Sequence, residues 1–526
     1  MVARVFTALC PADSLQVSTL DCNMLKLVKM KKRNLYIAGL ACISAISFSA
    51  CDKKLDEIVP HNVLFEEQEF ATPAGFTKTT VANYNSLTNS TTNYDKNWFN
   101  LAEFRGNNVK PIDNTSTSSL TATQDIDAFK FLNASSKDFG LSHTFWSGSY
   151  RVLLGVNTVL KHIQPGETDP VILQAKAENL FLRGMVFFNL VRLYGRPYYQ
   201  SPSGNPGIPL ILQPVTAASD RPARASVEDT YKQIISDLTE AAQTFTQKKN
   251  NSYASRYAAY GLLSRVYLYM SGSFDQPNTN YARLAQQYAD SVLLNGGYSL
   301  LQGTAYTAYY SNSNQANTET IWAINHDAAT MSIPTWFYQP TGQYAGSSSY
   351  STGQIKPSPD LLDLLAPGDL RRRFYITDKY PGNNTDTLSC NKYYYKYTAV
   401  YYSNAPIHYL RLAEVYLNRA EARVKAGDNA GALSDLNVIR NRAGVGVLSG
   451  ISGQTLFTEI LKQRRLELAF EGHNSFDYFR NGLPMVRSYT SFNAQPLTIA
   501  ATDAKVVIRI SDDVLAENGN IQQNNQ

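Results

Sequence analysis

"IHYLRLAEVYLNRAEARVKAGDNAGALSDLNVIRNRAG", residues 407–444, reads as two helices joined by a tight turn. Leu410, Ala413, Leu417, Ala420 and Val424 recur at the helical period and predict a first apolar stripe. Gly427 supplies the positive φ that ends a helix, and Asp428 is placed to cap the next. Ala432, Leu433, Leu436 and Ile439 form the second stripe, which Gly444 closes. Small residues at the turn let the two helices approach closely. The unit is near the period of a tetratricopeptide hairpin, about 34 residues, and stacked units of this kind share one continuous core.

Further helices read the same way on either side. Asp169-Pro170 provides a cap and a first-turn proline, and the helix that follows runs to Gly195 with Pro197 behind it. Ser226 to Asp229 resembles a capping box opening "SVEDTYKQIISDL". "SRYAAYGLLSRVYLYMSG" ends at Gly272, and "NYARLAQQYADSVLLNGGY" ends at Gly296-Gly297. Two more helices are predicted at about 144–163 and 455–471. The fold class is therefore mainly α: a tetratricopeptide-like superhelix of about four helical pairs, with scaffold at about 141–295 and 406–475. Residues 296–405 break the pattern. They hold 15 of the 34 tyrosines and two of the four tryptophans among Ser, Gly and Asn. A structureless loop of that length is uncommon in a compact domain, so this segment is expected to be an inserted lobe of loops and short strands.

The N-terminus carries a different signal. Lys31-Lys32-Arg33 precedes a 14-residue apolar stretch, Leu35 to Phe48, followed by Ser49, Ala50 and Cys51. The stretch is shorter than the roughly 20 residues of a spanning helix, and its parts are those of a secretory signal. A cysteine at that place resembles the lipobox of bacterial lipoproteins, whose thiol is acylated and becomes the first residue. This reading makes 1–50 a leader, with translation starting at Met1 or Met30, and 51–70 a tether. It leaves 71–526 as a single domain. The leader holds six of the 48 Lys/Arg and two of the 43 Asp/Glu, so the remainder carries 42 basic against 41 acidic residues. A near-neutral body gives no reason to expect nucleic acid as partner. Cys10, Cys22 and Cys42 leave with the leader, and Cys390 then has no disulfide partner.

Catalytic patterns are scarce. There is no G-x-S-x-G elbow, phosphate loop, G-x-G-x-x-G or H-E-x-x-H. The six histidines lie at 61, 143, 162, 326, 408 and 473, none at metal-ligand spacing from its neighbour. No cofactor or metal is expected, and Asp125 and Asp127 read as solvated carboxylates. Glu467 and Glu471 share a helix face, but a glycosidase needs carboxyls facing each other across a sugar. Arg464, Arg465 and Arg480 lie close by in sequence, so ion pairing accounts for the two glutamates. Arg371-Arg372-Arg373 reads as a solvated face.

Aromatic platforms are the remaining chemistry. Trp and Tyr rings match the apolar face of a sugar, and Asn or Arg beside them can read hydroxyls. Two stretches fit: "NYDKNWFNLAEFRGNNV", with Trp98, Arg105, Asn107 and Asn108, and "IPTWFYQPTGQYAG", with Trp336, Tyr338 and Tyr344. The competing reading of these aromatics is core between lobe and scaffold. The lobe holds seven basic and seven acidic residues, so a neutral or weakly charged ligand is expected.

"AENLFLRGMVFFNLVRLYGRPYY", "SVEDTYKQIISDL", "IHYLRLAEVYLNRAEARVKAGD", "LNVIRNRAG" and "ILKQRRLELAFEGHNSFDYFRNG" together resemble the ordered signatures of the SusD/RagB family across essentially all of 51–526. Its members are outer-membrane nutrient-binding lipoproteins of Bacteroidetes. The resemblance implies a non-catalytic protein, lipid-anchored at Cys51 and facing outward. Its helical scaffold would contact a SusC-like TonB-dependent transporter, to which it delivers captured oligosaccharide, polysaccharide or other nutrient. It also places the ligand surface between N-terminal loops and the inserted lobe. Which nutrient is bound varies across the family. A helical-repeat adaptor and a binder of peptide nutrients are the alternative readings, with a hydrolase of unrecognised site as a third.

Overall fold

Leu412 begins a helix because Arg411, immediately before it, ends a strand; the stretch quoted above holds a sharp change of backbone as well as a hairpin. A computed structural model of the chain describes residues 66–89, 91–111, 123–134, 140–215, 221–311, 317–326, 355–377, 387–388, 406–491 and 495–524. Residues 1–69 form one unit, in which the helical turn Glu66–Glu69 is described. Residues 70–526 form the other.

The second unit is built on helices α1 (Pro73–Ser86), α2 (Tyr94–Phe104), α3 (Gly140–Lys161), α4 (Pro170–Tyr194), α5 (Val227–Thr244), α6 (Arg256–Met270), α7 (Thr279–Asn295), α8 (Leu412–Lys425), α9 (Asn429–Arg442), α10 (Gly453–Leu468) and α11 (Asn474–Arg480). From α3 to α7 each helix packs on the next, and α8 and α9 follow in the same manner. The caps explain where several begin. Asp169 accepts from the N–H of Val171 and Ile172, Ser226 from Asp229, Ser255 from Ala258, and Asp428 from Gly431. Gly427 (φ +90°) makes the turn between α8 and α9, a conformation that favours glycine. Ala413, Leu417, Ala420 and Val424 are buried as the period predicted, and Ala432, Leu436 and Ile439 answer them from α9. Leu410 is buried too, but from the strand, so the first helix is shorter than its stripe implied.

Helix α7 packs directly on α8, although Asn295 and Leu412 are separated by the whole inserted segment. The described strands form four antiparallel pairs. They are β1 (Val109–Pro111) with β3 (Ile355–Pro357), β2 (Thr320–Ile324) with β6 (Ile407–Arg411), β4 (Ile376–Thr377) with β5 (Thr387–Leu388), and β7 (Met485–Arg487) with β8 (Leu497–Ile499). The β2–β6 pair sets Thr320 opposite Arg411. It joins the outgoing and returning ends of the insertion beside the start of α8. Both strands are buried along their whole length, and Trp322 lies edge-on to Phe181 of α4, with ring centroids 5.0 Å apart. No described helix is long and apolar enough to cross a membrane.

The N-terminal helices α1 and α2 were not read from the sequence. Ten of the eleven α2 residues are buried, and no side-chain cap at Asn93 marks where the helix begins.

Candidate functional site

Helix α10 turns an outward face of Gln454, Thr458, Leu461, Lys462 and Arg465 toward a cavity of about 400 Å³. After Leu468 the chain reverses through Phe470 (φ +65°) and Gly472 (φ +76°), then enters α11, which supplies the facing wall. Gly472 is required twice over: its backbone is left-handed, and an added Cβ would lie 2.7 Å from the Trp98 ring. Phe457, Leu461, Leu468, Leu364 and Leu483 make the walls largely apolar.

Two asparagines supply the polar end. Asn108 Oδ1 accepts from Arg465 Nε at 2.9 Å, and Asn474 Nδ2 donates to Asn107 Oδ1 at 3.0 Å. Each amide is thus fixed on one side. On the other, Asn108 Nδ2 and Asn474 Oδ1 are buried without a hydrogen-bond partner among the described residues. A buried unpaired polar atom costs about 1–3 kcal/mol. One free donor and one free acceptor in an apolar recess match a hydroxyl-bearing ligand, since each hydroxyl both gives and accepts. His473 also lines the cavity. Burial, with Arg265 and Arg464 close by, pushes its pKa well below the usual histidine value, so it stands neutral.

The stretch expected to present Trp98, Arg105, Asn107 and Asn108 to a ligand is interior instead. Trp98 is 2% exposed and packs between Tyr409, Arg192 and Gly472. Arg105 is buried over the Phe131 ring, and donates to the carbonyls of Lys505 and Val506 at 2.5 and 3.0 Å. Asn107 donates to the Val486 carbonyl at 2.6 Å. Arg105 and Asn107 fasten the C-terminal segment to the turn that follows α2, and only Asn108 among the four lines the cavity. Cys51, Trp336, Tyr338 and Tyr344 lie outside the described residues. Trp146 and Trp322 are buried as well. Asn474, the second free amide, was missed: its signature reads as scaffold, and nothing in its spacing announces a vacant acceptor.

Glu467 and Glu471 are ion-paired, but not by the arginines nearest in sequence. Arg411 donates to Glu467 at 2.7 Å and to Glu471 at 2.7 and 2.9 Å, and Arg442 to Glu467 at 2.6 Å. Both arginines also hold Glu319 of the insertion, at 3.1 and 2.8 Å. Tyr306 and Tyr310 donate to Glu467 and Glu471 at 2.8 Å each. Arg464 and Arg480 serve Asp477 and Glu421, and Arg465 serves Asn108. The expected solvated face at 371–373 also divides: Arg371 is buried and bonded to Asp369 and Gln463, while Arg372 and Arg373 are exposed.

A family model described as the SusD family matches residues 372–525, and a second, described as starch-binding and associating with the outer membrane, matches residues 72–268. A SusD-like protein of Bacteroides ovatus is 26% identical over 494 residues, covering 85% of this chain and 82% of that protein. Along most of its length the chain is similar to SusD-family proteins. A solved SusD superfamily protein of Bacteroides thetaiotaomicron superposes with a TM-score of 0.71 at 26% identity, over 87% of this chain and 100% of that one. A SusD-like carbohydrate-binding protein of Bacteroides vulgatus shares the fold at a TM-score of 0.69 and 21% identity, over 86% and 97%. The mainly helical, tetratricopeptide-like architecture is the SusD fold.

Proposed function

We propose that this SusD-like protein captures glycan nutrients at the outer membrane and hands them, unmodified, to a SusC-like TonB-dependent transporter. The observation that carries the reading is the match over 72–268 to a family described as starch-binding and associating with the outer membrane. The cavity between α10 and α11 supports it, with one free amide donor and one free acceptor over apolar walls. Cys51 would carry the acyl chains, each buried methylene contributing about 0.8 kcal/mol of membrane affinity. Residues 51–70 would be the tether. Binding without turnover is supported by the engagement of Glu467 and Glu471 with Arg411.

The test is calorimetry of purified 52–526 against an oligosaccharide panel, with product analysis by chromatography. Saturable heats with no cleavage are expected; cleavage products, or no binding to any glycan, would reject the reading. Two variant pairs locate the site. Trp336→Ala with Tyr338→Ala removes the aromatic platform proposed in the lobe, where Tyr344 also lies. Asn108→Ala with Asn474→Ala removes the cavity's polar end. In cells, Cys51→Ala should move the protein out of the membrane fraction, and the anchored form should co-purify with the transporter.

A further inference from the structure

A second cavity, of about 20 Å³, touches a different face of α11. That is room for one water-sized species. Three arginines line it, Arg192, Arg196 and Arg480, together with Tyr198, Tyr231 and Tyr269; none of the described residues lining it is acidic. The three cations differ in how they are satisfied. Arg480 spends all its nitrogens on Glu421 and Asp477. Arg196 donates to the carbonyls of Thr502 and Asp503.

Arg192 has no such compensation. It is 7% exposed, and no described carboxylate pairs with it. Its Nη1 donates to the Tyr269 hydroxyl at 3.2 Å and its Nη2 to Asn189, while its Nε has no hydrogen-bond partner among the described residues. The rings of Phe188 and Phe476 lie 4.4 and 4.6 Å from the guanidinium carbon. Such contacts are worth about 0.5–2 kcal/mol each, whereas burying an unpaired ion costs several. The Tyr269 hydroxyl accepts from Arg192, which leaves its own proton free to donate.

We infer that this cavity is a halide site, holding one chloride ion against Arg192 Nε. Sulfate and phosphate carry several oxygens that each need a donor, whereas the one unpaired N–H here, with the Tyr269 hydroxyl, suits a monatomic anion. A neutral water would satisfy Nε but leave the charge uncompensated.

The test uses the folded body, residues 52–526. Crystals grown in bromide should show an anomalous peak within hydrogen-bond distance of Arg192 Nε; a cavity with no peak, or with water alone, overturns the inference. In solution, chloride is compared with gluconate at equal ionic strength. Above the dissociation constant, each tenfold rise in chloride should lower the unfolding constant about tenfold by mass action. Equal curves in the two salts overturn the inference. Arg192→Gln should abolish the difference between the salts, and its persistence would place the effect elsewhere. If that variant does not fold, the bromide and wild-type salt measurements decide alone.

Discussion

Arg411 is the residue on which the junction of insertion and scaffold depends. Its guanidinium meets Glu319, Glu467 and Glu471, all of them buried. Removing one partner of such a cluster strands the rest as unpaired buried charge. Arg411→Met should therefore cost about 3–5 kcal/mol in urea unfolding, and Lys176→Met, whose pair with Glu240 is solvated on both sides, about 1 kcal/mol or less. His473 sets a pH dependence. Its native pKa lies below the ordinary 6.5, so below that pH the unfolded chain takes up a proton that the native one refuses. Stability is thus lost as pH falls through that window, with a slope of up to about 1.4 kcal/mol per pH unit. His473→Gln should flatten the slope; an unchanged acid limb in the variant would assign it to other groups. That Glu467 and Glu471 are paired was legible in sequence. Their partners were not, because Arg411 lies 56 residues before Glu467 and nothing local marks it.

The C-terminal segment is held by arginines that have carbonyls, not carboxylates, for company. Arg105 reaches Lys505 and Val506, Arg487 reaches Phe104, Gly106 and Phe129, and Arg224 reaches Tyr194 and Gln522. Burial without a counter-charge pushes their pKa values down, to about 9, 10 and 10. Arg105→Leu leaves two carbonyls unpaired and should loosen this segment by about 1–3 kcal/mol. Hydrogen exchange reads this directly: the Ile508 amide, bonded to Leu193, should exchange faster while α8 is unchanged. Helices α8 and α9 could be read because their apolar repeats are punctuated by Gly427 and the cap Asp428. Helix α2, equally enclosed, lacks such punctuation: Asn93 before it makes no side-chain cap bond. The same enclosure made Trp98, Arg105 and Asn107 resemble ligand readers, because a polar side chain facing a distant carbonyl and one facing a sugar look alike in a single sequence.

Across the molecule, many phenols are enclosed. Burial raises the pKa of Tyr84, Tyr94, Tyr306 and Tyr310 well above 10.0. Each is neutral when native and ionises on unfolding, so its contribution is complete below pH 10 and drains away above it. Lys425 works in the opposite sense. Burial pushes it down to about 8 from 10.5, so stability rises with pH between those values. The phenols outnumber it, and denaturation followed by tyrosinate absorbance should show a plateau that collapses above about pH 10. Tyr306→Phe should shrink the collapse. The contact of α7 with α8 carries a last implication. The superhelix runs on from α7 to α8, so residues 296–405 are a cassette spliced into finished masonry. Descent could exchange much of its sequence without relaying a single course of helices. The mortar at the seam, Glu319, Tyr306 and Tyr310, would have to stay.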